Sequence, residues 1–314
     1  MTSVRTAARR RARALVALAI ALVALPGCAM APPDGGQGAG TGSSRVVAVV
    51  AAEDMWGSLA AQVGGSHARV TSLVASPATD PHAYEPTAAD ARRLADAGLA
   101  VVNGAGYDPW MDRLLAAAGG HRRVLDVGDL ARVTAGADPH LWYRPDVVDA
   151  VVAALARDLA AVDPVDAGFF AARGRQVAET GLADYHAALA SIRSRFAGRP
   201  VAATESVAAP LCRALGLDLL TPPAFLRAVT EGIDPSPAAR AAAVDQVTSH
   251  RVDLLLVNTQ NQAPDVRTLV DAAHHGAVPT VALTETLVPA TATFQAWQTR
   301  QLTVLARTLE DARG

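Results

Sequence analysis

The sequence reads as a two-lobed α/β chain, each lobe a mostly parallel sheet flanked by helices and the two lobes joined by a long rigid linking helix. From residue 45 onward, apolar runs of strand length alternate with helical segments, the pattern of parallel sheets built from strand–helix–strand units. The alternation stops between residues 166 and 196 and then resumes to the end of the chain.

The first lobe opens with a continuous apolar run over 46–51, as expected of a strand buried on both faces. A short helix over 55–63 follows, closed by Gly64-Gly65, and a second strand over 70–75 leads into the loop Asp80-Pro81-His82-Ala83-Tyr84-Glu85-Pro86. Thr87 with Asp90 three residues on makes a capping box that opens a helix to Ala97. A third strand over 99–103 runs into Gly104-Ala105-Gly106, which lacks the third glycine of a phosphate loop and reads as a tight turn before a helix over 110–118. A fourth strand over 124–127 precedes a second corner, Asp138-Pro139-His140-Leu141-Trp142, and an amphipathic helix over 144–161.

In the linking segment Ala178, Leu182, Tyr185, Leu189, Ile192 and Phe196 step by four and three residues, the period of one helical face. A helix of that length would run about 45 Å at 1.5 Å per residue, although Gly174 and Gly181 weigh against a straight rod. Beyond it come strands over 200–203, 217–220, 252–257 and 278–283, with helices over 207–215, 237–249, 263–273 and 293–312. Ser236-Pro237 supplies a cap and a first-turn proline for the second of these helices.

The ends are of a different character. Arg5, Arg9, Arg10, Arg11 and Arg13 precede an apolar run over 14–25 that is too short to span a bilayer and fits a signal-peptide core. Leu25-Pro26-Gly27-Cys28 resembles the bacterial lipobox, so Cys28 is the expected lipidation site. Residues 31–44 have too few apolar groups to pack and read as a tether; their glycines precede the first strand, the wrong context for a dinucleotide loop. The expected organisation is therefore 1–27 signal peptide, 28–44 lipidated cysteine and tether, 45–164 first lobe, 165–197 linking helix and 198–314 second lobe. Cys212 then has no partner within the chain and reads as a small buried residue on a helix.

Composition narrows the chemistry. All 28 basic residues are arginine, which excludes any P-loop, Schiff-base or Ser-x-x-Lys lysine. Once the signal peptide's arginines are removed, the 30 acidic residues outnumber the basic ones that remain, and nucleic acid is not an expected partner.

Each Asp-Pro-His corner presents its imidazole from stiff extended backbone, because proline fixes its own φ and restricts the aspartate before it. In open α/β sheets ligands sit beyond the carboxyl ends of strands, and two carboxylates stand there: Glu205 in Thr204-Glu205-Ser206 and Glu285 in Thr284-Glu285-Thr286. His82 and His140 with Glu205 and Glu285 balance the charge of one divalent cation and form a four-residue metal site. His67, His121, His186, His250 and the pair His274-His275 lack a paired ligand motif and read as structural or exposed. Asp80 and Glu85 are candidates for orienting His82.

At these residues the chain resembles the metal-binding solute receptors of bacterial ABC importers, the zinc- and manganese-type lipoproteins. The resemblance covers nearly all of residues 45–314. Asp80-Pro81-His82-x-Tyr84-Glu85-Pro86 and Asp138-Pro139-His140-x-Trp142 match the family's first and second ligand motifs, and Glu205 falls where zinc members have histidine and manganese members glutamate. Glu285 stands where aspartate is common, one methylene longer, and the histidine-rich loop of some zinc members is missing.

The resemblance implies a monomeric, exported, membrane-tethered receptor, not an enzyme. It would capture zinc or manganese, with ferrous iron also admissible, and deliver it to an ABC permease from the outer face of the cytoplasmic membrane. A secreted metal-dependent hydrolase is the second reading and a structural lipoprotein or adhesin the third. Catalytic zinc keeps a position open for water, which four protein ligands would fill.

Overall fold

The computed structural model describes residues 46–79, 81, 84–134 and 136–312. The signal peptide, Cys28, the tether, Asp80 and His82 lie outside the described residues.

The first lobe contains β1 (Val47–Glu53), α1 (Asp54–Gly64), β2 (Ala68–Val74), α2 (Ala88–Ala95), β3 (Leu99–Val102), α3 (Pro109–Ala118), β4 (Arg123–Asp126), a single helical turn α4 (Val127–Leu130) and α5 (Pro145–Val162). Its sheet is parallel with order β2-β1-β3-β4. The apolar run of β1 is explained by this placement, since helices cover both faces of an interior parallel strand. Successive β1 side chains separate to the two faces. Val49 and Ala51 join the main core, while Val50 and Ala52 pack with Val74, Leu94, Trp110 and Met111 on the other side.

The second lobe contains β5 (Pro200–Ala203), α8 (Ala208–Leu215), β6 (Asp218–Leu219), α9 (Pro223–Thr230), α10 (Pro237–Thr248), β7 (Leu255–Asn258), α11 (Pro264–His275), β8 (Thr280–Leu283) and α12 (Phe294–Asp311). Its sheet, β6-β5-β7-β8, is also all parallel and repeats the order of the first. In both sheets the first strand of the lobe lies between its successor and the next strand, creating a switch point where the chain turns opposite ways.

Local signals settle several boundaries. The capping box is present: Thr87 Oγ1 accepts from Asp90 N–H (3.3 Å), and Asp90 Oδ2 accepts from Thr87 N–H (2.8 Å). Ser236 Oγ accepts from Ala239 N–H at 3.2 Å, with Pro237 in the first turn of α10. Helix α9 is not anticipated by the sequence; it starts at Pro223, where a missing N–H costs the helix nothing. Cys212 is buried in α8, and burial pushes its thiol up to about 12.

The linking segment is helical but not one α-helix. Between α6 (Ala167–Gln176) and α7 (Ala183–Phe196), residues Val177–Gly181 form a π turn, in which Leu182 N–H reaches Val177 O at 2.9 Å. The wider turn inserts a residue into the face, so Val177 is buried beneath Leu182 and Ala178 is only half-buried. Gly174 serves packing: a Cβ there would meet Ala156 Cβ at 2.7 Å, so glycine lets α6 approach α5.

Helix α12 packs against α7 and touches α1 of the first lobe, and the main core runs through both lobes. Polar ties cross the same boundary. Asp54 Oδ2 accepts from Leu287 N–H (3.0 Å), Ser58 Oγ from Phe294 N–H (2.9 Å), and Tyr143 O–H donates to Thr284 O (2.9 Å). Among the described residues no helix is long and apolar enough to cross a membrane.

Candidate metal centre

Glu205 follows β5, Asn258 ends β7, Glu285 follows β8, and all three converge on one crevice beyond the carboxyl ends of the second sheet. His140 enters from the first lobe. One ligand atom from each of His140, Glu205 and Glu285 lies within 4.8 Å of the others, and all three residues are buried. Ligand atoms about 2.1 Å from a tetrahedral ion are about 3.4 Å apart, so only a small contraction separates this cluster from a coordination shell.

The corner carrying His140 is fixed from below. Asn103 Nδ2 donates to Pro139 O (2.9 Å), and Asn103 Oδ1 accepts from Trp56 Nε1 (3.1 Å). Asp138 Oδ1 takes both the backbone N–H of His140 (3.0 Å) and its Nδ1 (2.8 Å). A carboxylate only accepts, so the proton sits on Nδ1 and Nε2 is the nitrogen turned toward Glu285 Oε2, 3.8 Å away. Trp142 packs edge-on to the imidazole, with centroids 5.3 Å apart.

The carboxylates are held by neutral donors. Asn258 Nδ2 donates to Oε1 of both Glu205 and Glu285, the latter at 2.6 Å. Asn261 Nδ2 donates to Glu205 Oε2 (2.6 Å), and the Tyr107 hydroxyl to Glu285 Oε2 (2.7 Å). Gln260 Oε1 accepts from the backbone N–H groups of Glu285 (2.6 Å) and Thr286 (3.1 Å), while its Nε2 donates to Pro77 O (3.2 Å) in the first lobe.

Burial and the neighbouring Glu285 charge push the Glu205 carboxyl up to about 7, against the lowering effect of its amide donors and His140. Two carboxylates with oxygens within 4.8 Å of each other repel by on the order of 3 kcal/mol at an effective dielectric of about 20, a cost that a divalent cation between them would reverse. Burial alone would lower the His140 imidazole; the hydrogen bond it donates to Asp138 and the charges of Glu285, Asp138 and Glu205 outweigh it and raise it. Beside the site is a cavity of about 310 Å³ lined by Pro81, Glu205, Thr230, Asn258, Asn261 and Glu285, among others.

Three of the four expected ligands therefore meet, and the fourth, His82, lies outside the described residues, directly after Pro81 of the cavity wall. Glu85 is exposed, and the orienting aspartate seen here is Asp138. Of the other described histidines, His67 pairs with Asp166 (2.5 Å) and stacks on Phe169, His186 lies 3.1 Å from Asp149, and His275 bonds Asp271 O, while His121, His250 and His274 are exposed.

Tyr107, Asn258, Gln260 and Asn261 are missed by sequence reasoning. Asn258 could have been found, since it ends a strand as Glu205 and Glu285 follow theirs. Tyr107 reaches the site because Gly104, Ala105 and Gly106 all take positive φ. At Gly104 any Cβ would also strike the Asp126 carboxylate, at 2.2 Å.

Two parallel-sheet lobes enclosing one imidazole and two carboxylates define the class of metal-binding solute receptors. The chain belongs to the ZnuA family, the periplasmic component A of the zinc-uptake complex, whose model matches residues 49–308. The manganese-binding lipoprotein MntA of Bacillus subtilis is 28% identical over 137 residues, which cover 41% of this chain and 42% of that protein. The chain spans about half the length of the curated relatives it matches.

Among solved structures, the cadmium-bound periplasmic metal-binding protein of Candidatus Liberibacter asiaticus superposes with a TM-score of 0.70 at 18% identity, covering 84% of this chain and 99% of that one. The solute-binding protein FpvC of Pseudomonas aeruginosa, in complex with Ni2+, does so with a TM-score of 0.67 at 24% identity, covering 85% and 98%. These neighbours share the fold. The family is a component of a transport complex rather than a family of enzymes, and its periplasmic description agrees with an exported chain. The hydrolase reading finds no support in it.

Proposed function

We propose that this chain is an extracytoplasmic solute-binding lipoprotein that captures a divalent transition metal between its lobes and hands it to an ABC permease. The convergence of His140, Glu205 and Glu285 within 4.8 Å in a buried crevice carries the reading. Two buried like charges with few compensating cations are costly, and a divalent ion is the partner that neutralises both at once. His82 is the proposed fourth ligand and Cys28 the proposed lipid anchor; the chain acts as a monomer.

Zinc and manganese are the proposed cargo: the family is described by zinc uptake, and its curated relatives by manganese binding. The cation is cargo, so the residues need only bind, orient and release it. Asp138 keeps Nε2 of His140 aimed at the site, and the amides of Asn258 and Asn261 hold the carboxylates apart until the ion arrives.

Calorimetric titration of the purified chain with zinc and with manganese tests this. One tight site is expected in the wild type, weakened strongly in His82→Ala, His140→Ala and Glu205→Ala. Wild-type affinity and stoichiometry in all three variants would overturn the ligand assignment.

A further inference from the structure

The cavity beside the metal centre runs from the surface to the ligands. Its inner wall is formed by Glu205, Asn258 and Glu285, all buried, and its outer wall by Glu231, Gly232 and Gln262, all exposed. Three carboxylates line it, and among its described lining residues there is no arginine or histidine. Glu205 and Glu285 belong to the proposed ligand set. Glu231 does not, and among the described residues its side chain makes no hydrogen bond or ion pair.

The fold holds Glu231 at the mouth. It is the residue after α9, whose end is tied to the loop of Glu205: Thr230 Oγ1 accepts from Ser206 N–H at 3.2 Å. Gly232 takes a positive φ and turns the chain back on the helix, with Ile233 N–H reaching Ala228 O at 2.9 Å. A turn closed in this way fixes the backbone beneath the Glu231 side chain. Val229 and Thr230 line the cavity too, so α9 brings the negative end of its peptide dipoles to the same wall.

We propose that this cavity is the entrance for the hydrated divalent cation and that Glu231 is its steering residue, an outer carboxylate met before Glu205 and Glu285. The inference rests on the reading of the site as a metal receptor. A cleft lined by one sign of charge between low-dielectric walls raises the local concentration of the opposite ion, and so its association rate. Once bound, the ion is neutralised by the two inner carboxylates, and the outer charge has little left to hold. Glu231 therefore acts on the association rate and hardly on the dissociation rate. In water, a unit charge about 8 Å from a divalent ion changes its local concentration by a factor of about five.

Rapid mixing of the full chain with zinc ions, with free zinc followed by a metallochromic dye, gives the association rate; release to excess chelator gives the dissociation rate. In about 10 mM salt Glu231→Gln should slow association about fivefold, and Glu231→Arg by roughly the square of that, with dissociation changed by less than about twofold. In about 1 M salt, where the screening length falls from about 30 Å to about 3 Å, the differences should vanish. Glu231→Asp should stay near wild type, as should Glu179→Gln, which removes an exposed charge that does not line the cavity. Wild-type association in Glu231→Gln at low salt, a slowing that persists at high salt, or an equal slowing in Glu179→Gln overturns the proposal and leaves the receptor reading intact. A wild type that binds no zinc overturns both.

Discussion

Nε2 of His140 faces Glu285 Oε2 at 3.8 Å because Nδ1, across the ring, is held 2.8 Å from Asp138 Oδ1. One aspartate thus selects both the tautomer and the direction of the imidazole, and the proline between the two residues keeps the corner stiff. Asp138→Ala should leave the fold intact and weaken zinc binding by about 10- to 100-fold, the usual cost of losing a group behind a metal-binding histidine. Calorimetry checks the affinity and circular dichroism the fold. An unchanged affinity would mean that the ring is oriented by its packing against Trp142 and Tyr107 and by Ser206 Oγ, 3.4 Å from Nδ1.

Exchanging Glu205 for histidine replaces a carboxylate with a neutral, single-atom ligand. Glu205→His should lower manganese affinity more than zinc affinity, while Glu285→Ala should weaken both ions by removing a charge and a ligand. Zinc should remain the tighter ion in the wild type whatever the cargo in the cell, as the order of divalent affinities requires. Competition between the two ions, measured on each variant, gives the ratios.

As proposed ligands, Glu205 must be ionised and His140 neutral to bind the cation. Both groups hold protons more firmly than usual in the metal-free chain, Glu205 up to about 7. Affinity should therefore fall as pH drops below about 7, with protons released on binding. Calorimetry in buffers of different ionisation enthalpy measures that release; none at pH 6 would contradict the assignment.

Stability of the metal-free chain should run the other way. Burial pushes the Asp54 carboxyl up to about 7 and that of Asp108 up to about 6, and raises Glu53 with help from Asp108 and Asp54. A carboxyl raised in the folded state favours folding fully below its unfolded value, about 4, and that contribution is lost as pH rises through 6 to 7. The melting temperature should fall between pH 5 and pH 8. Asp54→Asn keeps an acceptor for Leu287 N–H and removes the charge, so it should flatten the slope; Glu205 leaves part of it.

Replacing Cys28 with alanine should release the protein from the membrane fraction. Membrane association that survives the change, with an unmodified N-terminus elsewhere, would rule out the lipid anchor.

Much of this centre is legible in the sequence because its charged residues obey positional rules. Glu205 and Glu285 stand just past apolar strand runs, and His140 is marked by a proline that leaves its corner few conformations. The supporting residues obey no such rule. Asn258 and Asn261 are neutral amides whose role depends on which strand lies beside which, and Tyr107 is brought in by three consecutive left-handed residues, one of them an alanine. The π turn was hidden for a related reason. Val177 and Ala178 are both apolar, so periodicity accommodates either, and the packing of α6 on α5 decides between them.

The edge-on contact between Trp142 and His140 gives the molecule an optical reporter of its own. All four indoles are buried, so their emission should lie toward the blue, and among the described residues Trp142 is the indole packed edge-on against a proposed ligand. Charging or coordinating the imidazole alters the field on that indole directly. Occupancy should then be readable from intrinsic fluorescence without a label, and Trp142→Phe should silence the signal while binding continues.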